Sequence, residues 1–308
     1  MINVALIGVG PMAAHHAKAI AGVDGMRITS CASRDRGRAL AFAAAHGIAH
    51  VQTLDEALAH AEADAFWLCV SADAMADTAA RFALLGLPMF LEKPVGLDAA
   101  ETAAIRDRIS APHMVGLNRR FYEVIRRGGD LITAAGGLRA IEIHMPEDVA
   151  AVPSKHGARS RRQWQFANSV HLIDLFRFFA GEPAEIVTMN EVRDSADRSY
   201  NALIRFETGA RGVYNAQWYA PGGWRVALYA DDLSIVYQPI EAGEMRRRGA
   251  APVPLLPEGP DLRFKAGLWA QAAAFRDLVA TGRAVDGAPD LAEYARSVAL
   301  VDRLTAQA

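Results

Sequence analysis

Six residues near the start, Gly8-Val9-Gly10-Pro11-Met12-Ala13, restrict what this chain can fold into more than any other stretch. They follow a continuous apolar run, Asn3 to Ile7, and lead into an alanine-rich segment, Ala14 to Ala21, of helical composition. A strand, a glycine turn and a helix in that order open a parallel α/β sheet, and the G-x-G-x-x-A spacing is that of a dinucleotide-binding turn. Gly8 permits the tight turn, Gly10 lets the backbone approach a pyrophosphate, and Ala13 allows the helix to pack closely. With Pro11 and Met12 these residues form the expected phosphate-binding turn at the positive end of the helix.

Alternation of strand and helix continues through Met26 to Ala32, Arg36 to His46, Ala65 to Val70, Ala74 to Leu85, Pro88 to Leu91 and Met114 to Leu117. Two capping boxes, Thr53-Leu54-Asp55-Glu56 and Asp98-Ala99-Ala100-Glu101, open further helices. Sequential βα units imply right-handed crossovers, so residues 1 to 118 read as a Rossmann domain, a doubly wound parallel sheet binding NAD or NADP. Beyond it the pattern changes. Arg119 to Arg127 reads as a helix ending at Gly128-Gly129, and short runs of period two follow from Leu138 to Tyr237. Residues 119 to 308 are therefore expected to form an α+β domain with a large, mainly antiparallel sheet, interrupted by a helix from Ser169 to Ala180 and closed by helices near Gly267 to Thr281 and Leu291 to Ala306.

Open parallel sheets bind ligands at the carboxyl ends of their strands, and the strand Pro88 to Leu91 ends in Glu92-Lys93-Pro94. The chain has only four lysines against twenty-nine arginines. A lysine at this strand end therefore points to a need for a compact ammonium, the alternative being a solvated surface pair. About 25 residues after Gly8 the second strand ends in Ser33-Arg34-Asp35. NAD-binding units place an acid here for the ribose hydroxyl, whereas NADP-binding units use small polar and cationic groups. Ser33 and Arg34 favour NADP(H); NAD(H) remains the alternative if Asp35 is the ribose ligand rather than the N-cap of the next helix.

The net charge of -2 argues against nucleic acid as a partner, and no run of 18 apolar residues suggests a membrane span. With no basic segment before the first strand, the protein is expected to be soluble and cytoplasmic. Cys31 and Cys69 fall in apolar strand-like runs and read as buried, reduced thiols, and no metal-ligand pattern is present.

Several motifs together resemble the glucose-fructose oxidoreductase, inositol dehydrogenase and rhizopine-catabolism (Gfo/Idh/MocA) family: Gly8-x-Gly10-x-x-Ala13, Glu92-Lys93-Pro94, Gly116-Leu117-Asn118-Arg119-Arg120-Phe121, and His171-Leu172-Ile173-Asp174-Leu175 opening a helix. The resemblance spans the chain. It implies an NAD(P)-dependent dehydrogenase or reductase acting on a hydroxyl or keto carbon of a sugar or cyclitol, and a homodimer or homotetramer built through the open sheet. It also implies that Lys93 contacts the reacting oxygen and the nicotinamide ribose, that His171 is the acid or base, and that Asn118 lies near the nicotinamide. Val70-Ser71 stand where the family usually has Thr-Pro beside the cofactor, Met75 where it has a histidine, and Ala167 where it often has an aspartate paired with the histidine. A histidine suits proton transfer in both directions, and Asp174, three residues on, shares its helix face and can orient the ring. A packed structural histidine is the plainer account. The loss at Ala167 leaves a second function class open, a cofactor- or sugar-binding regulator or scaffold without chemistry. The run Pro153 to Arg162 reads as a loop with four cations, either a solvated surface or a lid for an anionic substrate group. Trp218, Tyr219 and Trp224 are expected to crowd the outer sheet face where a partner would cover it.

Overall fold

The computed structural model describes residues 1–59, 62–152, 157–194 and 196–306. The chain divides into two compact units, Met1–Phe121 with Pro260–Ala295, and Tyr122–Gly259 with Arg296–Ala308.

In the first unit β1 (Ile2–Ile7), α1 (Pro11–Ala21), β2 (Met26–Ala32), α2 (Arg36–His46), β3 (His50–Gln52), α3 (Leu54–Ala59), β4 (Ala65–Leu68), α4 (Ala72–Ala83), β5 (Met89–Leu91), α5 (Ala99–Arg106) and β6 (His113–Val115) alternate. The strands form a parallel sheet in the order β3-β2-β1-β4-β5-β6, the doubly wound arrangement whose order reverses beside β1. The central strands are buried on both faces: Ala65, Phe66, Trp67 and Leu68 of β4 and Met89, Phe90 and Leu91 of β5 are all 0% exposed. Trp67 stacks on Phe90 with centroids 3.8 Å apart, and Phe275 meets both rings edge-on. The first capping box closes reciprocally, Thr53 N donating to Glu56 Oε2 at 2.7 Å and Glu56 N to Thr53 Oγ1 at 3.2 Å. In the second, Glu101 N donates to Asp98 Oδ1, but the return bond reaches back one residue further, to Leu97 N. Phe275 lies on α9 (Leu268–Thr281), which the division at residue 118 would leave in the second domain. Ala272, Phe275 and Leu278 put α9 in the Rossmann core because they complete the apolar cover beside Ala13, Ala17 and Ile20 of α1.

The second unit holds α6 (Glu123–Ala134), β7 (Ala140–His144), α7 (Ala158–Arg162), α8 (Val170–Ala180), β8 (Pro183–Thr188), β9 (Glu191–Val192), β10 (Arg198–Phe206), β11 (Arg211–Gln217), β12 (Arg225–Tyr229), β13 (Leu233–Tyr237), β14 (Gly243–Arg247) and β15 (Val253–Leu255). The final helix α10 (Leu291–Thr305) begins in the first unit and ends in the second. Among the described residues the strands form one nine-stranded sheet, β15-β14-β13-β12-β7-β11-β10-β8, with β9 beside β10. All pairings in it are antiparallel except β7 with β11, which the long connection through α8 and β8 to β10 makes feasible. α8 packs on one sheet face, with Phe176 against Phe206 and Tyr214.

The structure departs from three expectations. Gly128-Gly129 do not end a helix: Asn118–Phe121 is a 3-10 turn, and α6 runs through both glycines to Ala134. Gly128 is needed for close approach, since a β-carbon there would fall on the Tyr237 hydroxyl. Of the segment read as a loop, residues 153–156 lie outside the described residues, while Ala158–Arg162 is the helix α7, with Arg161 and Arg162 exposed and Ser160 buried. Trp218 belongs to the core rather than the outer face, at 0% exposed, because strand alternation puts Gly212, Tyr214 and Ala216 inward and Trp218 continues that series. Its ring lies edge-on to Tyr200, with the Arg198 guanidinium above it; Tyr219 is 55% exposed and Trp224 half-buried.

Candidate active site

One row of residues defines the carboxyl rim of the parallel sheet. Ala32, Ile7, Leu68, Leu91 and Val115 are neighbours in register across β2, β1, β4, β5 and β6. Hydrogen bonds continue the row one step outward: Gly8 N to Ala32 O at 2.8 Å, Cys69 N to Ile7 O at 2.7 Å, Glu92 N to Leu68 O at 2.9 Å and Gly116 N to Leu91 O at 2.8 Å. Five chain segments therefore leave the sheet from one edge, and the first-unit residues singled out in the sequence are on them. Strands spaced about 4.8 Å apart make this rim roughly 19 Å wide, enough to carry an extended dinucleotide.

The turn after β1 fits a diphosphate. Gly8 has φ +95°, and a β-carbon there would run into the Cys69 carbonyl, so only glycine serves. Around Gly10 the opposite holds: a β-carbon would meet nothing within 4 Å, leaving open space over the backbone. α1 has Gly10 as its N-cap, Pro11 in its first turn, no side-chain cap and no acidic residue there, so no side chain of that turn competes with an anion for the first amides. At the end of β2, Asp35 is the N-cap of α2, its Oδ1 accepting from Arg38 N at 3.0 Å, while Ser33 Oγ accepts from Asp35 N at 3.2 Å. Arg34 is exposed between them.

After β4, Val70 is half-buried and Ser71 exposed; Ser71 caps α4 without using its hydroxyl for the cap. Met75 is buried in α4. After β5, Lys93 is half-buried and the Lys93–Pro94 peptide is cis. Glu92 is 8% exposed, with Oε2 2.8 Å from His16 Nε2 on α1. After β6, Asn118 is 4% exposed; its Nδ2 donates to Ala266 O at 3.2 Å and its Oδ1 accepts from Arg119 at 2.8 Å. Burial pushes the Cys31 thiol up to about 11 and holds that of Cys69 well above its ordinary value, so both stay protonated.

In the second unit His171 and Asp174 lie in the first turns of α8, 2% and 0% exposed. Every residue from Val170 to Arg177 is buried, the charged and polar His171, Asp174 and Arg177 included, so this helix is covered on several sides. A π-helical turn, Gln165–Ser169, precedes it, a local widening often found at functional sites. Asp174 Oδ1 accepts from Ser297 Oγ at 2.6 Å; Ser297 in turn accepts from Arg177, whose guanidinium pairs with Glu182. Glu147, just past β7, has both oxygens held, by Trp164 Nε1 at 2.9 Å and Asn168 Nδ2 at 2.7 Å. His16, Ser297 and Glu147 had no motif to reveal them, because each meets its partner only through tertiary structure. Among the described residues no cluster of His, Cys, Asp and Glu could hold a metal ion, and no helix is long and apolar enough to cross a membrane.

Comparison with known proteins agrees with the two-unit fold. Residues 2–113 match the model of the oxidoreductase family with an NAD-binding Rossmann fold, and residues 134–236 match the GFO/IDH/MocA C-terminal domain. An inositol 2-dehydrogenase of Rhizobium meliloti is 33% identical over 195 residues, 61% of this chain and 57% of that protein. A 4-carboxy-2-hydroxymuconate-6-semialdehyde dehydrogenase of Sphingobium is 28% identical over 200 residues, 62% of each. The aligned part of the chain thus spans under two thirds of these curated relatives. Among solved structures, a levoglucosan dehydrogenase complexed with NADH and levoglucosan superposes with a TM-score of 0.82 at 19% identity, over 98% of this chain and 96% of that one. A dehydrogenase from Chromobacterium violaceum gives a TM-score of 0.85 at 17% identity, over 99% and 94%. Two models of one family, matching in succession over a Rossmann unit and an open-sheet unit, leave one conclusion: the chain belongs to the Gfo/Idh/MocA family of oxidoreductases.

Proposed function

We propose that this protein is an NAD(P)-dependent dehydrogenase or reductase acting on a hydroxyl or keto carbon of a sugar, cyclitol or related polyol, with NADP(H) as the preferred cofactor. The observation that carries the reading is the sheet rim, where the open Gly10 backbone follows β1 and Lys93 follows β5, two strands flanking β4 at one ligand-binding edge. The nicotinamide, when bound, supplies the hydride acceptor or donor. The residues do the rest. Gly8, Gly10, Pro11, Met12 and Ala13 receive the diphosphate, Ser33 and Arg34 the adenosine ribose, and Val70, Ser71, Glu92 and Asn118 line the way to the reacting end. Lys93 donates to the reacting oxygen and stabilises charge that develops on it. As the carbinol C–H bond breaks, His171 takes the hydroxyl proton, and it returns that proton when a ketone is reduced. Asp174, one turn along the same helix face, orients the ring. The engagement of Asp35 as a helix cap supports NADP(H), since it draws the acid away from the ribose.

Lys93→Ala and His171→Ala are each expected to lower kcat by about 10²-fold or more, with nucleotide affinity nearly unchanged, as for a removed acid-base group. A polyol and keto-sugar screen identifies the substrate, and steady-state kinetics of the variants complete the test. Near-wild-type turnover in both variants would refute the roles of Lys93 and His171. A regulator or scaffold that binds cofactor without chemistry is the second reading, favoured by the apolar Ala167 four residues before His171. It predicts saturable nucleotide binding and no turnover across the screen.

A further inference from the structure

His16 stands on the buried face of α1 among Ala13, Ala17, Ala19 and Ile20, the one polar side chain in that set. Its ring is 0% exposed, with the Trp67 and Phe90 rings 5.2 and 5.3 Å away. Nε2 lies 2.8 Å from Glu92 Oε2, and Nδ1 has no hydrogen-bond partner among the described residues. With nothing to accept a proton from Nδ1, the ring proton belongs on Nε2, where the carboxylate receives it. Glu92 backs onto Gly116, where a β-carbon would come within 2.8 Å of Oε2, so the carboxylate has a fitted seat. Covering a sheet asks only for aliphatic side chains, and an apolar pair at positions 16 and 92 would leave no ring nitrogen orphaned and no carboxylate to bury. The bond therefore serves something other than packing. The residue directly after Glu92 is Lys93.

We propose that His16 is a positioning residue for Lys93. By holding Glu92 it fixes the direction in which the chain leaves β5, and so the base from which the Lys93 ammonium reaches out. The same helix receives the cofactor diphosphate at its N-terminus, roughly 8 Å from His16 along the helix axis. One rigid piece thereby sets both the phosphate seat and the lysine, and nicotinamide and ammonium keep a constant relation from turnover to turnover. The role of His16 rests on Lys93 being the donor to the reacting oxygen.

The test compares His16→Leu, which fills the space without a donor, with His16→Gln, whose amide restores one. Two readouts are taken: kcat and KM for the polyol, and the rate at which trace acetic anhydride labels Lys93, measured by mass spectrometry against Lys18 and Lys265 in the same molecule. His16→Leu should lose at least tenfold in kcat, change the relative labelling of Lys93 at least threefold, and leave the nucleotide Kd within twofold; His16→Gln should recover most of both losses. Unchanged labelling of Lys93 in His16→Leu overturns the proposal, as does a His16→Gln no better than His16→Leu. So does a loss of nucleotide affinity as large as the loss of kcat. Should His16→Leu fail to fold, His16→Asn replaces it, since its shorter amide falls short of Glu92. A wild type that oxidises no polyol would sink the chemistry assigned to Lys93, and the labelling comparison would still decide the role of His16.

Discussion

On the proposed NADP(H) reading, Arg34 is the single side chain expected to decide cofactor choice. A 2′-phosphate carries close to two negative charges, and an exposed guanidinium can meet it with a forked, charge-assisted contact that a ribose hydroxyl cannot exploit. Arg34→Ala is therefore expected to weaken NADP(H) binding about tenfold or more while leaving NAD(H) nearly unchanged, which parallel titrations of both cofactors would measure. Tighter binding of NAD(H) to the wild type would point instead to Asp35. Cys31 gives a pH dependence. The unfolded thiol titrates near 9.0 and the folded one near 11, because burial opposes the thiolate. Below pH 9 both states hold the proton; between 9 and 11 the unfolded chain releases it and the folded chain does not, so stability falls as pH rises through that window. The loss attributable to Cys31 is about 3 kcal/mol at most, and Cys31→Ala should flatten the decline. Urea midpoints at pH 8 and 10.5 check it, and parallel declines in wild type and variant would remove Cys31 from the account.

Strand ends and helix starts that depend on local chemistry were readable in advance: α2 begins and ends where its pattern predicts, and the Thr53–Glu56 box closes as its spacing demands. Elements whose reason lies across the structure were not. Gly128-Gly129 carry the composition of a helix stop, yet their role in α6 is set by Tyr237, which packs there from β13 and donates to Val124 O at 3.1 Å. Likewise β14 has no apolar alternation, and β15 contains Pro254, so neither announces itself as a strand. Even the candidate site divides this way: the glycine turn and Lys93 announce themselves by spacing and rarity, while His16 and Ser297 gain meaning only from Glu92 and Asp174. The two glycines supply a direct test. Gly128→Ala would gain about 1 kcal/mol of helix propensity but collide with a rigid, fully buried ring, and should be destabilising by about 2 kcal/mol net. Gly129→Ala meets only Phe179 at an ordinary 3.4 Å and should be neutral or stabilising. Thermal denaturation of both variants separates the accounts; equal melting points would mean that Tyr237 yields easily.

The large sheet of the second unit has one face served by α8, and its other face carries an apolar row that a lone molecule in water has little reason to keep. Val187, Leu203 and Val213 are cross-strand neighbours on β8, β10 and β11, 60%, 63% and 36% exposed, and Met189 just beyond β8 is 78% exposed. Alternation explains why they are together: Ala202, Ile204 and Phe206 of β10 turn inward, so Leu203 must turn outward, and its partners in register turn with it. The polar residues interleaved with them, Glu185 paired with Arg205 and Asn201 bonded to Asn215, are already satisfied within the sheet and would enter an interface without stranding a charge. A second copy of this chain, laid on this face about a two-fold axis, would cover the row with the same row, the self-complementary contact that closed dimers use. The protein is accordingly expected to be a homodimer, or a pair of such dimers, at micromolar concentration. Leu203→Arg, which puts like charges opposite one another across the axis beside Arg205, should shift it to monomer in light scattering with its circular dichroism unchanged. A wild type that is monomeric at that concentration, or a Leu203→Arg variant that keeps the wild-type mass, would assign this face to solvent.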